Sequence, residues 1–174
     1  MFVEIEDQVD DPRELVKSMR TGMSSYNTFI RSRDTMKPGW RNVNAAVNRL
    51  TAGGGTNSTP SLQFAHNQIL NDRRARQSDP NFAGRSTKEF VIFMTDGDNN
   101  RPEWDDSSRA ICDAMKNDSI EVFTVAFAAP TKGRILLENC ASSDKDDHFF
   151  DASNAAAFKE AFREIGKELS LIHI

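Results

Sequence analysis

An α/β fold with a mainly parallel, doubly wound sheet flanked by helices is what this sequence predicts, and three observations carry it. Phe90 to Thr95 is an apolar run of strand length that stops abruptly at a Thr-Asp-Gly turn. Ile120 to Phe127 is a second such run, rich in β-branched and aromatic residues. Helical periodicity fills the text between and after them, so that from residue 90 onward the order reads βαβαβα. Parallel strands joined by right-handed crossover helices follow from that order.

Taken along the chain, Phe2 to Glu6 alternates weakly and reads as a short edge strand. Pro12 opens a helix with Leu15, Val16 and Met19 on one face. Tyr26 to Trp40 is polar and irregular and closes on the turn Lys37-Pro38-Gly39. Arg41 to Leu50 carries Val43, Ala46, Val47 and Leu50 at helical spacing, and three glycines end it. Thr59 before Pro60 caps a helix through Leu62, Ala65, Ile69 and Leu70; the polar text of residues 71–87 is a surface loop. Asp105 or Asp106 caps the next helix, with Ala110, Ile111, Ala114 and Met115 inward. A short helix holds Ile135 to Cys140, His148 to Phe150 is a brief strand, and Ser153 caps a last helix striped with Phe158, Ala161, Phe162, Ile165 and Leu169.

The 174 residues suit a single domain that buries about 70% of the surface its unfolded form exposes. A net charge of −4 argues against nucleic acid as the main partner, which would need a concentrated basic surface. The one dense basic cluster, Arg73-Arg74-Ala75-Arg76, reads as a solvated helix end. No run approaches the roughly 18 apolar residues of a membrane span, and the acidic start Met1-Phe2-Val3-Glu4 is not a signal sequence.

The chemistry concentrates in two loops. Gly53-Gly54-Gly55-Thr56-Asn57-Ser58-Thr59 is oxygen-rich and pliable, and Asp96-Gly97-Asp98-Asn99-Asn100 follows the buried strand. Loops after strand ends converge on one rim of an α/β sheet, and a carboxylate with a hydroxyl suits a hard cation such as Mg²⁺. Thr56 and Asp96 are the candidate ligands; Asn57, Ser58, Asp98, Asn99 and Asn100 are candidates for contacts behind them. Set against this, Asp96 commonly serves a turn by bonding nearby amides. An EF-hand reading of Asp96-x-Asp98-x-Asn100 fails at Arg101 and Ser107, where glycine and glutamate are required. The glycine loop lacks the lysine of a P-loop, and His66, His148 and His173 neighbour no obvious nucleophile. A Mg²⁺-dependent phosphate-ester enzyme is the enzymatic rival, and a metal-free structural module is the third reading.

Gly-Gly-Gly-Thr-Asn-Ser-Thr-Pro-Ser-Leu (53–62), spaced before Phe-Val-Ile-Phe-Met-Thr-Asp-Gly-Asp (90–98), resembles a von Willebrand factor A (VWA) domain. The resemblance implies a Rossmann-like fold, a protein-binding rather than catalytic role, and a metal-ion-dependent adhesion site for Mg²⁺, Mn²⁺ or Ca²⁺ with Thr56 and Asp96 as ligands. Ile111-Cys112, Ile120 to Val125, Leu137 to Ser142 and Phe149 to Ser153 are similar to the A domain of TadG-type Tad (Flp) pilus-assembly proteins, over about residues 42–169. That likeness implies a bacterial protein of the periplasm or cell surface. Its expected partners are pilus or envelope proteins, engaged through an acidic residue that completes the metal shell. It also favours a Cys112–Cys140 disulfide over two free buried thiols.

One departure qualifies it. The remaining ligands of the family come from Asp-x-Ser-x-Ser at the end of a central first strand, and that motif is absent here. The expectation is therefore an incomplete domain over residues 1–174, without that strand and with only part of the shell, with residues 170–174 as non-native text.

Overall fold

In the computed structural model, described over residues 1–6, 19–51, 53–82, 87–143 and 145–171, six strands form one sheet in the order β3-β2-β1-β4-β5-β6. The strands are β1 (Phe2–Glu6), β2 (Arg20–Tyr26), β3 (Ile30–Pro38), β4 (Thr87–Thr95), β5 (Glu121–Phe127) and β6 (Phe149–Ala152). Helices α1 (Arg41–Val47), α2 (Thr59–Gln77), α3 (Pro102–Asn117), α4 (Thr131–Cys140), α5 (Lys145–His148) and α6 (Ala155–Leu171) connect and flank them. β4, β5 and β6 are parallel, as the βαβαβα order dictates. Two apolar clusters lie against the sheet: Leu62, Ile69, Val91, Phe93, Met115 and Leu137 in one, Phe90, Ile92, Phe123, Val125 and Ile165 in the other. The alternation Phe90/Val91/Ile92/Phe93 between the two clusters shows why the middle of β4 is apolar at every position: both of its faces are covered there.

The N-terminal side differs from expectation. Phe2–Glu6 is a central strand and no edge: it lies between β2 and β4, antiparallel to both. The central place beside β4 that the resemblance gives to the missing first strand is thus filled by a strand antiparallel to both neighbours. Tyr26 to Trp40, read as irregular, contains most of a β2–β3 hairpin whose polar alternation hid it; register shifts interrupt the pairing twice. The helix expected at Pro12 lies outside the described residues.

Helix boundaries shift as well. α1 buries Ala46 but leaves Val47 exposed, and Leu50, beyond its end, is exposed as well, against the inward stripe expected of them. α2 starts at Thr59 with Ser58 as its cap residue, and it runs on to Gln77 through text read as a loop. α3 starts at Pro102 after Arg101, so Asp105 lies within its first turn and is not the cap. The extra length of α2 explains the basic cluster. Arg73 pairs with the buried Glu89 of β4 and donates to Asp118 O at 2.8 Å, and Arg76 reaches Asp72 at 3.4 Å. Arg73 and Arg76, the latter 3.5 Å from Glu89, anchor the helix to the sheet, and Arg74 alone of the three is a solvated cation of the last turn. His66 is buried and held by Asp118 at 2.7 Å, a structural histidine. Among the described residues no helix is long and apolar enough to cross a membrane.

Candidate functional site

Both candidate loops arrive at the C-terminal rim of the parallel strands. Thr95 closes the turn after β4, its hydroxyl accepting the Gly97 N–H at 3.2 Å. Gly97 then packs against α4: a methyl group built on Gly133 would stand 2.7 Å from Gly97 O, so only a glycine permits this approach. The Asp98 carboxylate accepts the Gly133 N–H at 2.6 Å, capping the first turn of α4.

The glycine loop is locked to that turn. Thr56 N–H donates to Asn100 Oδ1, and Asn100 N–H returns a bond to Thr56 O at 3.0 Å. Asn99 is buried and accepts from Ser58 N–H at 2.9 Å while its amide donates to Asp105 at 2.8 Å. Ser58 Oγ also meets Ser108 Oγ at 2.8 Å, tying the loop to α3. From the other side, Asn27 O accepts Asn57 N–H at 2.8 Å, and Thr28 Oγ1 accepts Gly55 N–H at 3.0 Å. The turn after β2 therefore forms a third wall of the site, and the polar text of the β2–β3 hairpin carries no periodicity that signals it.

With these neighbours engaged, two oxygen groups have no hydrogen-bond partner among the described residues. Thr56 Oγ1 lies 3.4 Å from where a Cβ on Gly97 would be, so the hydroxyl rests against the turn that carries Asp96. Asp96 is exposed, and among the described residues no donor is hydrogen-bonded to its carboxylate. The structure thus brings Thr56 and Asp96 to one rim and gives Ser58, Asp98, Asn99 and Asn100 to the framework behind them. Asn57 accepts Thr59 N–H at 3.2 Å and starts α2. Among the described residues, no three His, Cys, Asp or Glu side chains gather as a metal cluster.

Beside Asp96 the sheet has a notch. Met1 exchanges backbone bonds with Ile92, and strand alternation then turns the Met94 peptide groups toward the side beyond Met1. Tyr26 fills part of that side, its hydroxyl donating to Met94 O at 2.9 Å. Burial drives the Tyr26 phenol well above the usual tyrosine range, and the Asp96 charge pushes the same way against a bond to Thr95.

The family model of the von Willebrand factor type A domain matches residues 12–164. The chain belongs to the VWA family. Solved structures agree on the fold. The proximal thread matrix protein 1 of the mussel byssus superposes with a TM-score of 0.60 at 16% identity, covering 88% of this chain and 35% of that one. The same mussel protein with a zinc-occupied MIDAS motif gives a TM-score of 0.56 at 16% identity, over 87% and 34% of the two chains. The VWA chain described here thus spans about a third of the length of those structures. No curated protein matches it.

Behind the rim, Cys112 of α3 and Cys140 of α4 are joined, with an S–S distance of 2.08 Å. Both are fully buried, and the bridge clamps two crossover helices whose first turns carry Asp105 and Gly133, partners of the acid-bearing loop.

Proposed function

We propose that this VWA domain is a non-catalytic protein-binding module of a TadG-like pilus-assembly protein. One observation carries the reading: a hydroxyl and a carboxylate with no hydrogen-bond partner among the described residues stand on one rim, whose two loops are bonded to each other. Such donors suit a hard divalent cation, Mg²⁺ first. Thr56 and Asp96 would hold it, and the ion would offer an open position to a carboxylate on a partner protein. Two ligands make part of a shell, so the chain alone binds Mg²⁺ weakly. Isothermal titration of Mg²⁺ checks this; micromolar affinity abolished by Asp96→Ala would overturn the partial shell.

The rest of the domain supports an extracytoplasmic setting, in the periplasm or at the cell surface, because a buried disulfide persists where thiols are oxidised. A protein partner whose binding survives both chelation and Asp96→Ala would favour a metal-free structural module. Hydrolysis of a generic phosphate ester, lost on Asp96→Ala, would replace adhesion by catalysis.

A further inference from the structure

The surface around β3 is unlike the remainder of the molecule in both charge and polarity. Residues 29–50 hold five cations (Arg31, Arg33, Lys37, Arg41, Arg49) against one carboxylate, Asp34, in a chain of net charge −4. Arg49 takes that carboxylate at 2.9 Å. Arg31, Arg33, Lys37 and Arg41 are exposed, and no carboxylate pairs with them among the described residues. The same stretch exposes Phe29 (72%), Trp40 (52%), Val47 (48%) and Leu50 (47%), four of the six large apolar side chains exposed among the described residues. β3 closes the sheet on this side, so the backbone groups of its outer edge face away from β2.

We propose that the free edge of β3 docks an extended, acidic segment of a partner protein by strand addition. Cations alone on an edge strand guard it against unwanted pairing. Exposed Phe29 and Trp40 at its two ends, with Val47 and Leu50 alongside, work against such a guard and fit an occupied surface. The charge selects an acidic segment. The edge selects an extended one: β3 runs nine residues at about 3.3 Å each, roughly 30 Å, and alternate residues turn their peptide groups outward, with Thr35 O held by Asn42 at 3.3 Å and Met36 O by Arg20 at 3.4 Å. An anionic membrane would answer the charge but leave those groups unused. Phe29 follows Thr28, whose hydroxyl holds the glycine loop, so one end of the docked segment lies beside the Thr56 rim. This surface operates without a metal and is independent of the cation reading.

A fluorescent nine-residue peptide alternating Glu and Val, titrated into the full chain, tests it. The expected result is salt-sensitive binding with slowed amide exchange over Ile30–Pro38. Affinity should fall at least tenfold for Arg31→Glu/Arg33→Glu, and at least tenfold when a central proline interrupts the peptide. Equal binding of the proline peptide overturns strand addition, and equal binding of a Lys-for-Glu peptide overturns the charge argument. Failure of the peptide while phosphatidylserine vesicles bind overturns the protein partner in favour of a lipid surface.

Discussion

Strands β4 to β6 and strands β2 to β3 belong to one sheet but are held in it by different forces. The parallel side is held chiefly by apolar burial: Phe90, Val122, Phe123 and Val125 are at most 1% exposed, and helices cover both faces. The hairpin side is polar, with Ser25 and Ser32 hydroxyls bonded at 2.9 Å, Ser24 donating to Ser61 O at 3.1 Å and Arg20 clamped on Asp72 at 2.8 Å. Burial secures the first and directional bonds secure the second, so the first should tolerate truncation least. Phe123→Ala is expected to lose about 3–5 kcal/mol of unfolding free energy, by transfer and cavity terms together. Phe29→Ala, 72% exposed at the hairpin tip, should change stability by less than about 0.5 kcal/mol. Urea unfolding of the pair measures both; comparable losses would break the contrast.

The disulfide strengthens the parallel side further. Cys112 and Cys140 close a loop with a sequence separation of 28, for which chain entropy gives about 3.5 kcal/mol. The double variant Cys112→Ala/Cys140→Ala should lose about that much and should expose α3 and α4 to amide exchange before β2 and β3. Exchange that rises first in the hairpin would place the weak side elsewhere.

The same contrast explains what could be read in advance. β4, β5 and the helices between and after them were legible because a layer covered on two faces demands apolar residues at fixed periods, and sequence records periods. β2 and β3 were not, since Arg20-Thr21-Gly22-Met23-Ser24-Ser25-Tyr26 earns its place through hydrogen bonds that any polar text can make. β1 was read as a strand but placed at an edge, because five residues carry no mark of which neighbours they take. At the candidate site, the glycine loop and the strand end point to Thr56 and Asp96. Their supports were harder to assign: Asp98 serves α4 and Asn99 serves Ser58, and these partners are distant in sequence. Gly133 gave no signal at all, although its contact with Gly97 sets where Asp96 stands.

That contact gives a prediction of intermediate size. Gly133→Ala places a methyl group 2.7 Å from a backbone oxygen, which no rotamer change relieves. Overpacking of this kind costs about 1–3 kcal/mol, and here it also displaces the turn that presents Asp96. A thermal midpoint lowered by several degrees, with Asp98 released from the α4 amide in carboxylate NMR, is the expected pair of results. An unchanged midpoint would mean that the α4 terminus and the turn yield freely.

The smallest effect is the one that reports on the seam between the two sides. Tyr26 is the only tyrosine, so its ionisation can be followed by absorbance without ambiguity. Its folded pKa lies above the unfolded value, chiefly from burial, with the Asp96 charge adding to the shift. The unfolded chain therefore releases the phenolic proton first. The stabilisation is complete below pH about 10 and declines as pH rises beyond it. The phenolate should appear only as the protein unfolds in alkali, and Tyr26→Phe, which removes the bond to Met94 O, should cost about 1 kcal/mol at neutral pH. Phenolate formation near pH 10 in a protein whose circular dichroism is still native would show the seam open to water, and the Met94 peptide groups beside Asp96 would then be solvated rather than closed by Tyr26.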